Sequence, residues 1–353
     1  MSTVRHHAAP GDPAGRLPVT VLTGFLGAGK TTLLGRLLRH PGMARSAVII
    51  NEFGEVPLDH ELVEHAKEDI VEVAGGCLCC TVRGDLSRAV RQIDLRRRRG
   101  QAEFDRLLIE TTGLADPAPI IHTLLTDPMI AHGYALDGIV TLVDATSGLA
   151  TLERQAEAAK QAAVADRVLV SKTDLTGGLI PAGLAARLAT LAPSAPPLPV
   201  RHGRIDPAAL FGLGPSPATL ERWLGAAAGP DAHEHQHGHD HHHGGHDPNR
   251  HGEDIRAFCL RRPEPVRAAA LADFLEILTS RAGADLLRLK GIVQLAEHPH
   301  LPLVVHAVQH IVHEPVELPA WPSPDHDTRL VLITRGIPEA TVAKLFDTLA
   351  AAG

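Results

Sequence analysis

A glycine-rich segment followed by a lysine and two threonines carries the clearest chemistry in this sequence. Residues 24–32 fit the phosphate-binding pattern G-x-x-x-x-G-K-[ST], between an apolar run that predicts a strand and a pattern that predicts a helix over 32–39. Backbone N–H groups of such a loop face phosphate oxygens, and the helix N-terminus adds partial positive charge. We expect Lys30 to contact the β- and γ-phosphates and the Thr31 hydroxyl to ligate Mg²⁺. The predicted nucleotide-binding residues of the loop are Gly24, Gly27, Ala28, Gly29, Lys30, Thr31 and Thr32.

A second segment, Ser-Lys-Thr-Asp at 171–174, follows an apolar run and is similar to the guanine-recognition motif N-K-x-D. The Asp174 carboxylate can accept hydrogen bonds from guanine N1–H and the 2-amino group, and adenine offers neither donor there. The aliphatic part of Lys172 can cover one face of the base. Ser171 stands where the motif has Asn, an exchange that could loosen the loop. An ordinary Ser-x-x-Asp helix cap is the alternative interpretation.

A third segment connects a predicted strand to the pattern Glu110-x-x-Gly113, which is similar to the D-x-x-G of many GTPases. The Gly113 N–H can meet a γ-phosphate, and the acid lies near the magnesium ion. Glu110 can either hold a metal-bound water or polarise the attacking water, and the sequence leaves both roles open. Asp144, at the end of another apolar run, either acts near the metal or caps its strand. The candidate catalytic residues are therefore Lys30, Thr31 and Glu110.

Three of the four cysteines lie within four positions, and they predict a transition-metal site. Cys77 and Cys80 form a C-x-x-C pair that can chelate one ion with two thiolates, and Cys79 lies between them. Zinc usually takes about four ligands, so the pair needs further donors. A disulfide is one alternative, but we do not expect an oxidising compartment, because the first residues show no secretory n-region or apolar h-region. A redox pair and an inert buried cluster are the remaining alternatives.

A histidine-rich tract predicts a second, labile mode of metal binding. Imidazole is a common ligand of zinc, cobalt and nickel, and the tract has no apolar residues to bury. A polar spacer is the alternative. The candidate ligands are His233, His235, His237, His239, His241, His242 and His243.

Composition limits the classes of protein to which the chain can belong. With 353 residues, two domains are expected, and 44% hydrophobic residues suffice for a buried core. The formal net charge of −7 argues against nucleic acid as a partner. No apolar run approaches membrane-spanning length, so we predict a soluble, cytoplasmic protein without a membrane partner.

Short apolar runs alternate with helical patterns from 17 to about 226, which predicts an α/β fold. The sheet should be mostly parallel with helices on both faces. We predict a disordered lead at 1–16, a P-loop GTPase domain at 17–226, a His-rich flexible linker at 227–254 and a small α+β C-terminal domain at 255–353. Strands are expected at 19–23, 47–50, 70–73, 107–109, 138–143 and 167–170, and then at 255–260, 303–308 and 330–334. Helices are expected at 268–281 and 337–351.

Taken together, these motifs resemble those of the CobW family of GTPases, a group that includes metallochaperones and metal-insertion proteins. The resemblance covers nearly the whole chain and includes N-E-F-G-E at 51–55 and E-T-T-G-L-A-D-P at 110–117. It implies a metal site at the C-x-C-C segment that is coupled to GTP through a switch at 51–59. Glu52, Glu55 and Asp59 are the implied carboxylate ligands, and the C-terminal domain is implied to dock a client protein.

The function that we predict is a GTP-hydrolysing metallochaperone that delivers zinc or cobalt to a client metalloprotein, in cobalamin biosynthesis or zinc homeostasis. GTP, Mg²⁺ and Zn²⁺ or Co²⁺ are the expected ligands. A metal store or sensor, in which the nucleotide is a structural ligand, is the alternative. A small-molecule kinase is disfavoured by the guanine motif and the cysteines.

Overall fold

The structure is a computed structural model that describes residues 15–50, 70–72, 81–214, 219–220, 223 and 255–352. The chain divides into two compact units, each built around its own sheet. None of the helices within the described residues is both long and apolar enough to cross a membrane.

The first sheet consists of seven strands, and every pairing within it is parallel. Their order across the sheet is β3-β2-β4-β1-β5-β6-β7. All carboxyl ends therefore meet at one edge, where ligands of such folds bind. The strands are β1 (Leu17–Thr23), β2 (Ser46–Ile50), β3 (Ile70–Glu72), β4 (Arg106–Glu110), β5 (Tyr134–Asp144), β6 (Arg167–Ser171) and β7 (Pro197–Pro199).

Helices cover both faces of this sheet, because its central strands are apolar on both sides. Leu107 and Ile109 of β4 pack on one face against α2 and α3, whereas Leu108 packs on the other face with Leu33 and Leu37 of α1. The helices that follow the parallel strands in the chain are α1 (Lys30–Leu37), α2 (Thr81–Arg98), α3 (Ala118–Thr126), α4 (Pro128–Gly133), α5 (Gly148–Arg154), α6 (Ala156–Ala163) and α7 (Ala182–Leu191). The predicted helix over 32–39 thus begins two residues earlier.

The second sheet is antiparallel, with the order β11-β10-β9-β13-β8 and with β12 paired to β10. Two helices, α8 (Ala268–Ala282) and α9 (Glu339–Ala352), pack on one of its faces, where the Phe274 and Phe346 rings meet edge to face at 5.1 Å. The strands are β8 (Ile255–Arg262), β9 (Leu286–Gln294), β10 (Pro302–Val308), β11 (Ile311–Val312), β12 (Val316–Glu317) and β13 (Thr328–Arg335). The predicted fold class is confirmed, whereas the predicted domain boundaries stay predictions.

The sequence analysis missed β9, the strand at the middle of this sheet. Two of its charged residues are almost completely buried, Arg288 at 1% and Lys290 at 2% exposure. The Arg288 Nη2 lies 3.2 Å from His306 Nε2, and the Lys290 ammonium lies 3.8 Å from the centre of the Trp223 ring. His306 stacks on His313 with 4.1 Å between the ring centres. The two cationic side chains thus contact an imidazole and an indole ring, and β9 is buried on both faces.

Candidate functional site

The phosphate-binding pattern forms the loop between β1 and α1, at the carboxyl edge of the parallel sheet. Three of its glycines have positive φ angles: 144° at Gly24, 74° at Gly27 and 90° at Gly29. A side chain on Gly24 is also excluded by space, because a Cβ atom there would lie 2.3 Å from the Leu142 carbonyl oxygen. The backbone of the loop is therefore one that glycine allows and other residues do not. Such a conformation fits a cradle for phosphate oxygens.

Lys30 begins α1, and its side chain folds back over the loop. Its side chain is 8% exposed, and its ammonium donates hydrogen bonds to the carbonyls of Gly24 at 2.7 Å and Phe25 at 3.4 Å. Thr31 and Thr32 follow in the first helical turn, which contains no acidic residue. The N-terminus of α1 and the Lys30 ammonium therefore both place positive charge at the loop, which favours binding of an anion there.

The turn after β4 lies directly against the phosphate loop. Glu110 ends the strand with 5% exposure, and the Thr111 hydroxyl donates to the Thr23 hydroxyl at 2.8 Å. Three residues further on, a Cβ atom on Gly113 would lie 2.7 Å from the nitrogen and 2.8 Å from the Cα atom of Leu26. The close approach leaves room only for glycine. The two predicted phosphate-contacting segments are thus neighbours in space.

The segment 171–174 is tied to the same loop. The Ser171 hydroxyl donates to the Ala28 carbonyl at 2.7 Å, and also to the Val143 carbonyl at 3.3 Å. Lys172 has a φ angle of 56°, and its ammonium lies 2.5 Å from Asp144 Oδ2. Serine at the position of the usual Asn therefore anchors this segment to the phosphate loop, and the idea that it loosens the segment is not supported.

Asp144 acts as a cap at the end of β5, which was one of its two possible roles. Its Oδ1 accepts hydrogen bonds from the Thr146 N–H and hydroxyl, both at 2.7 Å. Burial opposes ionisation of this carboxyl, but the hydrogen bonds from Lys172 and Thr146 outweigh it and lower its pKa. The ionised carboxylate therefore holds the Lys172 side chain in place.

Asp174 is held by the loop that follows β7. Its Oδ1 accepts the His202 backbone N–H at 2.9 Å, and its Oδ2 lies 3.3 Å from His202 Nδ1. The hydrogen bond from this N–H is the largest cause of the lowered pKa of Asp174. The carboxylate is therefore ionised at neutral pH and can only accept hydrogen bonds, as guanine recognition requires.

The predicted transition-metal ligands lie outside the described residues. They are Glu52, Glu55, Asp59, Cys77, Cys79, Cys80 and the histidines from His233 to His243. Within the part of the chain that the structure describes, no three His, Cys, Asp or Glu side chains are grouped in a way that could hold a metal ion. The remaining cysteine, Cys259, lies half-buried in β8, where burial raises the pKa of its thiol.

Two residues of the site were missed by sequence reasoning. His202 supplies the N–H that holds Asp174, and Gln161 of α6 donates from its amide to the carbonyls of Gly113 and Ala115. Neither belongs to a motif, and their partners lie 28 to 48 residues away in the chain. Only the folded chain brings them together.

Two family models match successive parts of the chain. A family model described as the CobW/HypB/UreG nucleotide-binding domain matches residues 18–198, and one described as the cobalamin synthesis protein cobW C-terminal domain matches residues 255–350. The zinc chaperone YjiA of Escherichia coli is 33% identical over 94% of this chain and 98% of its own length. The zinc chaperone CobW of Pseudomonas aeruginosa is 31% identical over 94% of this chain and 91% of its own.

Solved structures give the same result. The crystal structure of Zn(II)-bound YjiA GTPase from Escherichia coli superimposes with a TM-score of 0.68 and 28% identity. The match covers 95% of this chain and 99% of that one.

Proposed function

Because the chain belongs to the CobW/HypB/UreG family, we propose that it is a GTP-hydrolysing metallochaperone for zinc. As a member of that family it is a GTPase, in agreement with the sequence-based prediction. The relatives that match along nearly its whole length are named zinc chaperones, and this favours zinc over cobalt as the cargo.

The observation that supports this proposal best is the contact between Gly113 and the phosphate loop at Leu26. A γ-phosphate at the loop would lie beside the turn that Gly113 forms, so the turn is placed to differ between the GTP and GDP states. Lys30 would neutralise the β- and γ-phosphates, and the hydroxyl of Thr31 would hold Mg²⁺, which supplies charge stabilisation during phosphoryl transfer. Glu110 would act on the magnesium ion or on the attacking water.

The metal-binding part of the proposal rests on the chemistry of the donors. The thiolates of Cys77, Cys79 and Cys80 suit zinc, and Glu52 or Glu55 would complete the coordination shell. Loss of the γ-phosphate would relax the switch at 51–59 and weaken this site, so that zinc passes to a client docked by the C-terminal domain. The histidines at 233–243 would serve as a labile reservoir in a cytoplasmic protein.

A zinc titration in two nucleotide states tests this mechanism. Wild type and a Cys77→Ser/Cys80→Ser variant are each titrated with GDP or with a non-hydrolysable GTP analogue. We expect a tight site in wild type whose affinity changes with the nucleotide, by about 5- to 150-fold, and its loss in the variant. Cys259→Ser is the matched control, because burial raises the pKa of that thiol, and it should bind zinc like wild type.

Equal zinc affinity in both nucleotide states would contradict the delivery mechanism. A second function, a zinc store or sensor with the nucleotide as a structural ligand, would then remain, and GTP turnover that does not respond to zinc would favour it. The reservoir is tested separately: deletion of 233–246 should reduce the number of bound ions and leave basal GTP turnover intact.

A further inference from the structure

The turn that carries Gly113 is held from α6 by one buried amide. Gln161 is 1% exposed, and its Nε2 donates to the Ala115 carbonyl at 2.9 Å and to the Gly113 carbonyl at 3.3 Å. Its own backbone carbonyl accepts the Thr141 hydroxyl at 2.6 Å, which fixes this part of α6 to β5. The amide of one side chain thus donates to two carbonyls of the turn, and the backbone that carries this side chain is held by β5.

Hydrogen bonds to the carbonyls of the turn determine the direction of its N–H groups. A trans peptide group points its carbonyl and its N–H in opposite directions. The Thr112 carbonyl accepts the Ala115 N–H at 3.2 Å and also the Thr111 hydroxyl at 3.2 Å, so the N–H of Gly113 points away from both. Gln161 fixes the next peptide group in the same way through the Gly113 carbonyl. Both peptide groups that flank Gly113 are therefore held in orientation beside the phosphate loop.

The acceptor side of the same amide indicates a role beyond packing. Gln161 Oε1 is buried and has no hydrogen-bond partner among the described residues. A buried acceptor without a partner is destabilising, and an apolar side chain of similar size would avoid it. The donors, in contrast, are directed at the carbonyls of the turn. Gln161 thus carries an acceptor that lowers stability, and its donors hold the carbonyls of Gly113 and Ala115.

We propose that Gln161 is the positioning residue of the γ-phosphate-contacting turn, an inference that rests on the proposed GTPase function. By holding the Gly113 and Ala115 carbonyls, it keeps the turn in the conformation that distinguishes GTP from GDP. Removal of its donors should therefore affect the GTP state and turnover much more than GDP binding.

Gln161→Met tests this inference, because methionine keeps the size and flexibility of the side chain and removes both donors. Affinities for fluorescent GDP and for a non-hydrolysable GTP analogue are measured together with kcat and KM. We expect GDP affinity to stay within about threefold, analogue affinity to fall about tenfold and kcat to fall about 10- to 100-fold. Gln155→Leu, a comparable exchange at an exposed position just before α6, is the control and should behave like wild type.

A second variant keeps the test decisive if Gln161→Met does not fold. In Gln161→Glu an ionised carboxylate would face two carbonyls, and its protonation would restore one donor. Its turnover relative to wild type should therefore rise as the pH is lowered from about 8 to about 6, where a buried carboxyl takes up its proton. A purely structural role predicts no such rise.

Three results would overturn the inference: wild-type kcat in Gln161→Met, equal losses of GDP and analogue affinity, or a flat relative pH profile in Gln161→Glu. Each of these leaves the GTPase function intact, provided that wild type hydrolyses GTP. Absence of turnover in wild type would instead refute the proposed function itself.

Discussion

Replacing Gly113 by alanine should uncouple hydrolysis from nucleotide binding. The added Cβ atom would meet three atoms of Leu26: Cδ2 at 2.6 Å, the nitrogen at 2.7 Å and Cα at 2.8 Å. The Cδ2 atom can rotate away, but the other two atoms belong to the backbone of the phosphate loop. Ordinary contact begins at 3.4 Å, so the turn and the loop must separate by about 0.7 Å.

A displacement of this size is large for a reacting centre, because an error of about 1 Å can lower a rate about 10²-fold. We therefore expect kcat for GTP to fall by one to two orders of magnitude, whereas GDP affinity falls by less than about tenfold. Steady-state GTP hydrolysis and equilibrium titration with fluorescent GDP measure the two effects separately.

Gly35→Ala is the matched control, since Gly35 lies in α1 and a Cβ atom there would meet nothing within 4 Å. That variant should keep wild-type turnover and gain about 0.5–1 kcal/mol of stability from the higher helix propensity of alanine. Wild-type kcat in Gly113→Ala would show that the turn does not act on the γ-phosphate. A drop in kcat in both variants would show that any added methyl group near the loop is harmful.

Three further predictions concern the base-binding segment and the second unit. Asp174→Asn should lower GTP affinity by at least about 10²-fold and raise the affinity for xanthosine triphosphate. If the ratio of the two affinities, measured by competition, is the same as in wild type, Asp174 does not recognise guanine. Ser171→Ala should lower the free energy of unfolding by about 1 kcal/mol and raise KM for GTP, because the hydrogen bond to the Ala28 carbonyl is lost. A wild-type free energy of unfolding in denaturant titration, together with a wild-type KM, would contradict this. Burial, with His313 and Arg288 nearby, lowers the pKa of His306 well below its usual value. Below about pH 6.5 the imidazole therefore takes up a proton in the unfolded chain but not in the folded chain. As the pH decreases, the free energy of unfolding should decrease by at most about 1.4 kcal/mol per pH unit. Denaturation of His306→Gln at several pH values should show no such dependence.

Much of the parallel sheet could be predicted from the sequence, because its central strands are continuous apolar runs between helical patterns. The strands β1 to β6 were expected within a few residues of their bounds. The one strand of this sheet that was not expected is β7. β7 begins and ends with proline, which argues against a strand, but it pairs only with β6 at the edge, where the missing N–H groups are tolerated.

β9 was missed for a different physical reason. Charged side chains are seldom buried, so a run with Arg288 and Lys290 does not suggest the middle of a sheet. Their burial depends on Trp223 and His306, which come from other parts of the chain. No local pattern contains that information.

The motifs also predicted which segments meet at the site, since parallel strands end at a common edge. They did not predict how the segments are held. The amide of Gln161 and the N–H of His202 act across 28 to 48 residues, and a glutamine in a helix or a histidine in a loop has no distinctive spacing. The placement of Gly113 against Leu26 likewise follows from the fold and not from the four-residue pattern that contains it.

The hydrogen bond from Ser171 to the Ala28 carbonyl has a consequence for how a whole nucleotide differs from its fragments. It sets the spacing between the segment proposed to read the base and the loop proposed to hold the phosphates, across 143 residues of chain. Two recognition elements at a fixed separation act on a linked ligand as a chelate, since the second contact forms at high effective concentration. Guanosine and pyrophosphate supplied together should therefore compete poorly with GDP, and loss of the Ser171 hydroxyl should narrow that difference.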